Sequence, residues 1–68
     1  MKLSARNQLK GKILDVTKGA TTSHVRVDLC HSVTVTAAIT NEAVTDLALK
    51  QGEDAWAVIK ASDVMIGK

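Results

Sequence analysis

Apolar and polar positions alternate through most of the first forty residues. In "LKGKILDV", Leu9 to Val16, Leu9, Gly11 and Ile13 fall on one face and Lys10 and Lys12 on the other. That two-residue period predicts a half-buried strand. Gly11 inside it marks a bend, a bulge or a close backbone approach. The small polar stretch "TKGATTS" around Gly19 predicts a turn. Val25, Val27 and Leu29 then alternate with Arg26, Asp28 and Cys30 in a second strand. Val33, Val35, Ala37 and Ile39 alternate with Thr34, Thr36 and Ala38 in a third. "CHS" (Cys30, His31, Ser32) is the reversal between them, without the Asn-Gly signature of a two-residue hairpin.

The period changes in "TNEAVTDLALKQG". Thr40 or Asn41 can cap a helix, because its side-chain oxygen accepts from unpaired amides of the first turn. Val44, Leu47 and Ala48 form an i, i+3, i+4 stripe. Glu42 suits the positive end of the helix dipole and Lys50 the negative end, and Gly52 sits where a left-handed cap is expected. One helix of about two to three turns is predicted. "DAWAVIKASDVMIGK" returns to strand, with Trp56, Val58 and Lys60 on one face and Ala55, Ala57 and Ile59 on the other. Both faces are largely apolar, so this strand is expected to be covered on both sides with Trp56 in the core. "ASD" breaks the run before a short last strand, Val64 to Ile66. The order β-β-β-α-β-β matches an oligonucleotide/oligosaccharide-binding (OB) fold: all-β with one short helix, a five-stranded Greek-key barrel. A plain α+β sandwich of the same order is the alternative.

Composition adds a need for partners. Sixty-eight residues make one domain, 1–68, and a domain this small buries only about 60% of the surface its unfolded chain exposes. One cysteine excludes an intrachain disulfide, and one tryptophan with no Phe or Tyr leaves an aliphatic core. Self-association is the expected compensation. Nine basic and seven acidic residues are interspersed, giving a net charge of +2, which does not describe a polyanion-binding surface. No apolar stretch reaches the roughly 20 residues of a membrane span. "MKLSARNQ" has no apolar run after its lysine, so it does not read as a signal peptide. The expected location is the cytoplasm, where a free thiol such as Cys30 stays reduced.

Catalytic and metal-binding patterns are not found. Cys30 and His31 are sequence neighbours whose side chains tend to point apart, with no third group to orient a dyad. His24, Cys30 and His31 lack the paired spacing of a zinc site. No catalytic residue and no direct protein–metal ligand is assigned. Single-strand nucleic-acid binders stack bases on several aromatic side chains, whereas this chain offers Trp56 alone. A small anion suits the residues better. A tetrahedral dianion needs convergent N–H and O–H donors, few of them cationic. "SAR" supplies the Ser4 hydroxyl, the Arg6 guanidinium and nearby amides; "KAS" supplies the Lys60 ammonium, the Ser62 hydroxyl and a turning backbone.

"MKLSARNQLKGKI", "VTAAIT" and the terminal "AVIKASDVMIGK" together resemble the Mop/TOBE domain family of small molybdate-binding proteins, the molbindins, over essentially the whole chain. The resemblance implies an OB-like barrel completed by strand exchange between subunits, assembled as a homohexameric trimer of dimers. It implies molybdate, and often tungstate, held as an oxyanion at subunit interfaces. Carried over by position, Ser4, Ala5 and Arg6 match one donor segment and Lys60, Ala61 and Ser62 the other. Thr40, ending "AAIT", matches a hydroxyl from another subunit. The turn at Gly19, Ala20 and Thr22 corresponds to a second oxyanion site near a three-fold axis. Asn7 and Gln8 are assigned to holding the strand start. The function implied is cytoplasmic storage and homeostasis of molybdenum, with no enzyme chemistry, no membrane and no nucleic acid. The alternatives are a molybdate-sensing regulatory or interaction module and an OB-type nucleic-acid binder.

Overall fold

The computed structural model describes residues 3–68. Four strands, β1 (Asn7–Lys18), β2 (Thr22–Cys30), β3 (Val33–Thr40) and β4 (Asp54–Ile59), form one sheet in the order β3-β2-β1-β4. Every neighbouring pair is antiparallel. Three sequential strands with the fourth returning beside the first is a Greek key. A helix, α1 (Asn41–Asp46), lies between β3 and β4, and a short 3₁₀ turn (Ala61–Asp63) follows β4.

The long first strand bends the sheet. Its first half, Asn7 to Lys12, pairs with β4, and Lys12 onward pairs with β2. Gly11 sits at this changeover, where a Cβ would lie 2.3 Å from the Asp28 carbonyl oxygen and 2.8 Å from Val27 Cγ1. The close approach anticipated at this glycine is therefore real. A register shift between Ile13 and Asp15 places a bulge at Leu14. The extra residue resets the alternation, so Ile13 and Val16 both reach the core while Asp15 turns outward to Arg26. Ile13, Val25 and Val27 are the buried centre, with Val16, Leu29, Ile39, Val44, Leu49 and Ala55 packed around them.

The β2–β3 reversal falls at Cys30–Ser32 as the sequence pattern indicates. Cys30, His31 and Ser32 take φ values of 84°, 52° and 63°, a left-handed run that glycine or asparagine usually provides. The Asp28 carboxylate helps hold it by accepting from the Cys30 N–H at 2.9 Å.

Four expectations need correction. First, α1 ends at Asp46 rather than continuing to Lys50. Ala48 adopts φ 52°, its N–H donates to Thr45 O, and the Leu49 N–H donates to Val44 O, each at 3.1 Å. This is the paired pattern of a Schellman cap, and it turns Leu49 onto the core in place of the expected Leu47–Ala48 stripe. Leu47 is left 67% exposed. Second, Gly52 is left-handed (φ 86°) but caps no helix. It belongs to the turn entering β4, where its N–H donates to Ile13 O at 2.8 Å. Third, Trp56 is 49% exposed on the outer face of β4, not in the core. Fourth, Val64 to Ile66 forms no strand within the described chain, and Met65 and Ile66 are each 92% exposed. The sheet thus has four strands rather than five; the all-β class with one short helix stands.

Candidate functional site

The β1–β4 ladder ends at the pair Asn7↔Ile59. The residues just beyond that pair are Ser4–Arg6 on one strand and Lys60–Ser62 on the other. Antiparallel pairing therefore brings the two predicted donor segments to one end of the sheet, although Asn7 and Ile59 are 52 positions apart. The Asn7 carboxamide donates to Ile59 O at 3.1 Å, and the Gln8 carboxamide donates to Ala5 O at 3.1 Å. These bonds fit the strand-holding role expected of both residues.

Each segment presents amides as well as side chains. Lys60 is extended (φ −64°, ψ 135°) and leads into the 3₁₀ turn. Within that turn the Asp63 N–H donates to Lys60 O at 2.9 Å and the Val64 N–H to Ala61 O at 3.3 Å. The first amides of such a turn, those of Ala61 and Ser62, have no acceptor inside it. Ser4, Arg6, Lys60, Ala61 and Ser62 are exposed and Ala5 is half-buried. The ion pairs among the described residues are Lys10–Asp54, Lys12–Asp54 and Arg26–Asp15, so Arg6 and Lys60 are in none of them. This end of the sheet carries two cations, two hydroxyls and two amides without an acceptor in their own turn.

Thr40 lies elsewhere. It pairs with Thr22 at the end of the sheet remote from Asn7 and Ile59. Its hydroxyl caps α1 by accepting from the Ala43 N–H at 3.1 Å, which leaves the hydroxyl proton free to donate. Within one chain Thr40 is grouped with Gly19, Ala20 and Thr22, not with Ser4–Arg6. A pocket combining Thr40 with the first set requires a second chain.

Asn41 ties that second group together, a role the sequence reading missed. Its side-chain nitrogen donates to Gly19 O at 3.0 Å and Ala20 O at 3.3 Å, and its backbone N–H donates to Thr21 O at 3.0 Å. Its side-chain oxygen accepts from the Ser23 hydroxyl, and Ser23 is fully buried. The available signal was parity: Ser23 falls on the same face as Val25 and Val27, so a polar group was due to be buried and needed a partner.

Two open clefts lie outside both sets. One, about 320 Å³, is lined by Lys10, Gly11, Lys12, Asp28, Leu29, Cys30 and Asp54. The other, about 350 Å³, is mainly apolar and runs beside Leu47, Leu49, Trp56 and Val58. Between them, a hydrogen bond from Lys12 (2.9 Å) and the charges of Lys12 and Lys10 hold the Asp54 carboxyl below its ordinary range. The Lys10 ammonium also stands 5.4 Å from the centre of the Trp56 ring, within cation–π range. The Arg26 guanidinium likewise lowers Asp15, and Asp15 raises Arg26. Among the described residues no cluster of three metal-ligating side chains occurs, and no helix is long and apolar enough to cross a membrane.

Known proteins are similar to this chain in both sequence and fold. The TOBE domain model matches residues 3–66. Molybdenum-pterin-binding protein 3 of Clostridium pasteurianum is 46% identical over 66 residues, spanning 97% of each chain. The structure of a molybdate binding protein from Sporomusa ovata superposes with a TM-score of 0.92 at 32% identity, over the full length of both chains. The cytoplasmic molybdate-binding protein ModG, in crystals with molybdate bound, gives a TM-score of 0.90 at 43% identity; the match covers 96% of this chain and 46% of ModG. Similarity of this length and level leaves one assignment: the chain belongs to the TOBE domain family, in its group of small Mop proteins.

Proposed function

We propose that this chain binds molybdate reversibly, as an intact oxyanion, with no chemistry performed on it. The observation that carries the reading is the pair Asn7↔Ile59, which puts Ser4–Arg6 and Lys60–Ser62 next in sequence at the same end of the β1–β4 ladder. Arg6 offers paired, directional hydrogen bonds and Lys60 a compact charge; the two hydroxyls and the turn amides complete a donor set. Hydrogen bonds to charged groups contribute roughly 1.5–3 kcal/mol each. Four or five of them reach the approximately 8 kcal/mol of a micromolar complex. Thr40 from a second copy, donating its free hydroxyl proton, closes the pocket. Gly19, Ala20 and Thr22, pinned by Asn41, make a second oxyanion site between further copies.

The exposed surface of the single chain supports this reading. The single chain exposes 5458 Å², whereas a compact monomer of its mass exposes about 4,100 Å². Leu9, Trp56 and Val58, between 40% and 49% exposed, and the almost fully exposed apolar side chains of Met65 and Ile66 account for part of that excess. A hexamer built as a trimer of dimers covers them. Its role is storage and homeostasis of molybdenum in the cytoplasm, with tungstate as a second ligand and sulfate rejected by its smaller size.

Calorimetry with molybdate, tungstate and sulfate tests the proposal. Saturable micromolar binding of the first two is expected, weakened about 10- to 100-fold by Arg6→Ala or Lys60→Ala. Absence of both heat and protection against unfolding would overturn it. The nucleic-acid alternative requires oligonucleotide binding that falls steeply with salt; flat fluorescence anisotropy at low salt removes it.

A further inference from the structure

The two carboxamides next to the donor segments do more than close a strand. Gln8 donates to the carbonyl of Ala5, and Asn7 donates to the carbonyl of Ile59. Each of those carbonyls shares a peptide plane with the N–H of a donor residue: Ala5 C=O with Arg6 N–H, Ile59 C=O with Lys60 N–H. The peptide unit is planar and trans, so its C=O and N–H point to opposite sides. Fixing the carbonyl fixes the direction of the amide. It also matters which of the two an anion meets, because a carbonyl oxygen repels it and an amide hydrogen attracts it.

We propose that Asn7 and Gln8 are positioning residues for the oxyanion site, each holding one carbonyl oxygen away from the ligand and so aiming the amides of Lys60 and Arg6 at it. This inference rests on the molybdate-binding reading above. Neither side chain touches the anion. Asn7 is half-buried between the strand ends and Gln8 is exposed, so their bonds order the backbone of a site otherwise open to solvent. Ordering before the ligand arrives removes part of the cost of binding. Each carboxamide acts on one amide, which makes the two effects separable.

The test uses Gln8→Met and Asn7→Leu, which preserve side-chain bulk and remove the donor. Molybdate affinity is measured by calorimetry, and the Arg6 and Lys60 amides are followed by NMR during titration. In the wild-type protein both amides are expected to move downfield. Gln8→Met should weaken binding about three- to tenfold, the span of one lost hydrogen bond, and abolish the Arg6 shift while keeping that of Lys60. Asn7→Leu should do the converse. A purely structural role would lower the melting temperature of the ligand-free protein but leave affinity and both shifts at wild-type values, and that result overturns the proposal. Gln8→Met alters an exposed position and carries the test alone if Asn7→Leu does not fold. If the wild-type protein itself binds no molybdate, the failure lies with the proposed function instead.

Discussion

Replacing Gly11 by alanine should destabilise the protein strongly, although the same exchange in an open strand stabilises it. In open space Gly→Ala gains about 0.4–1 kcal/mol by restricting the unfolded chain. At Gly11 the new methyl would sit 2.3 Å from the Asp28 carbonyl oxygen and 2.8 Å from Val27 Cγ1. The Val27 side chain belongs to the buried centre, and the Asp28 carbonyl is backbone of the neighbouring strand. Neither can move without separating β1 from β2 where β1 changes partners. Overpacking of this kind costs about 1–3 kcal/mol, so a net loss of about 2 kcal/mol is expected. A domain of this size melts about 4–8 °C lower per kcal/mol, which places the shift at roughly 8–16 °C. The assay is urea and thermal unfolding at fixed protein concentration, with Trp56 fluorescence and circular dichroism as probes. Gly67→Ala is the control, since a methyl there meets nothing within 4 Å. An unchanged or raised midpoint for Gly11→Ala would refute the close approach and with it the account of how β1 bends.

Other perturbations separate stability from binding. Ala48→Gly should stabilise by about 0.5–1 kcal/mol, because a left-handed alanine costs about 1–2 kcal/mol and glycine's extra chain entropy returns part of it; chemical denaturation reads the change. Thr40→Ala should cost about 1 kcal/mol through the lost helix cap and also weaken molybdate binding, whereas Thr40→Ser keeps both, by unfolding and calorimetry in parallel. Asp15 and Asp54 have lowered pKa values in the folded state. Their contribution is therefore present above the ordinary carboxylate range, about pH 4, and is lost as pH falls through the lower folded values. Melting temperature should drop below about pH 4, and Asp54→Asn combined with Asp15→Asn should flatten that part of the profile.

The strands and the reversal were legible because period-two alternation is a local property of the chain. So was the turn at Gly19. The end of α1 was not: helical stripe and cap signals continued to Gly52, but packing Leu49 onto Ile13 and its neighbours overrode them and forced Ala48 left-handed. Trp56 was misplaced for a related reason. Apolar side chains on both faces of β4 indicate burial, and one chain covers only the inner face; the outer one, with Trp56 and Val58, is left exposed. Val64 to Ile66 poses the same problem, an apolar run with no strand in its own chain to pair with. The donor segments were legible as types, Ser-Ala-Arg and Lys-Ala-Ser, but not their adjacency, which depends on the long-range register Asn7↔Ile59. Asn41 was hidden because its four partners, Gly19, Ala20, Thr21 and Ser23, lie some twenty residues earlier, brought to it by the β2–β3 pairing.

Gel filtration with light scattering, followed by molybdenum analysis of the eluted protein after loading with molybdate, tests the central claim in one measurement. Molybdenum should coelute in fixed proportion to protein at the mass of six chains, and Arg6→Ala should lower the bound metal without changing that mass. A monomeric peak, or an oligomer that elutes free of molybdenum at saturating molybdate, would contradict an oxyanion site shared between subunits.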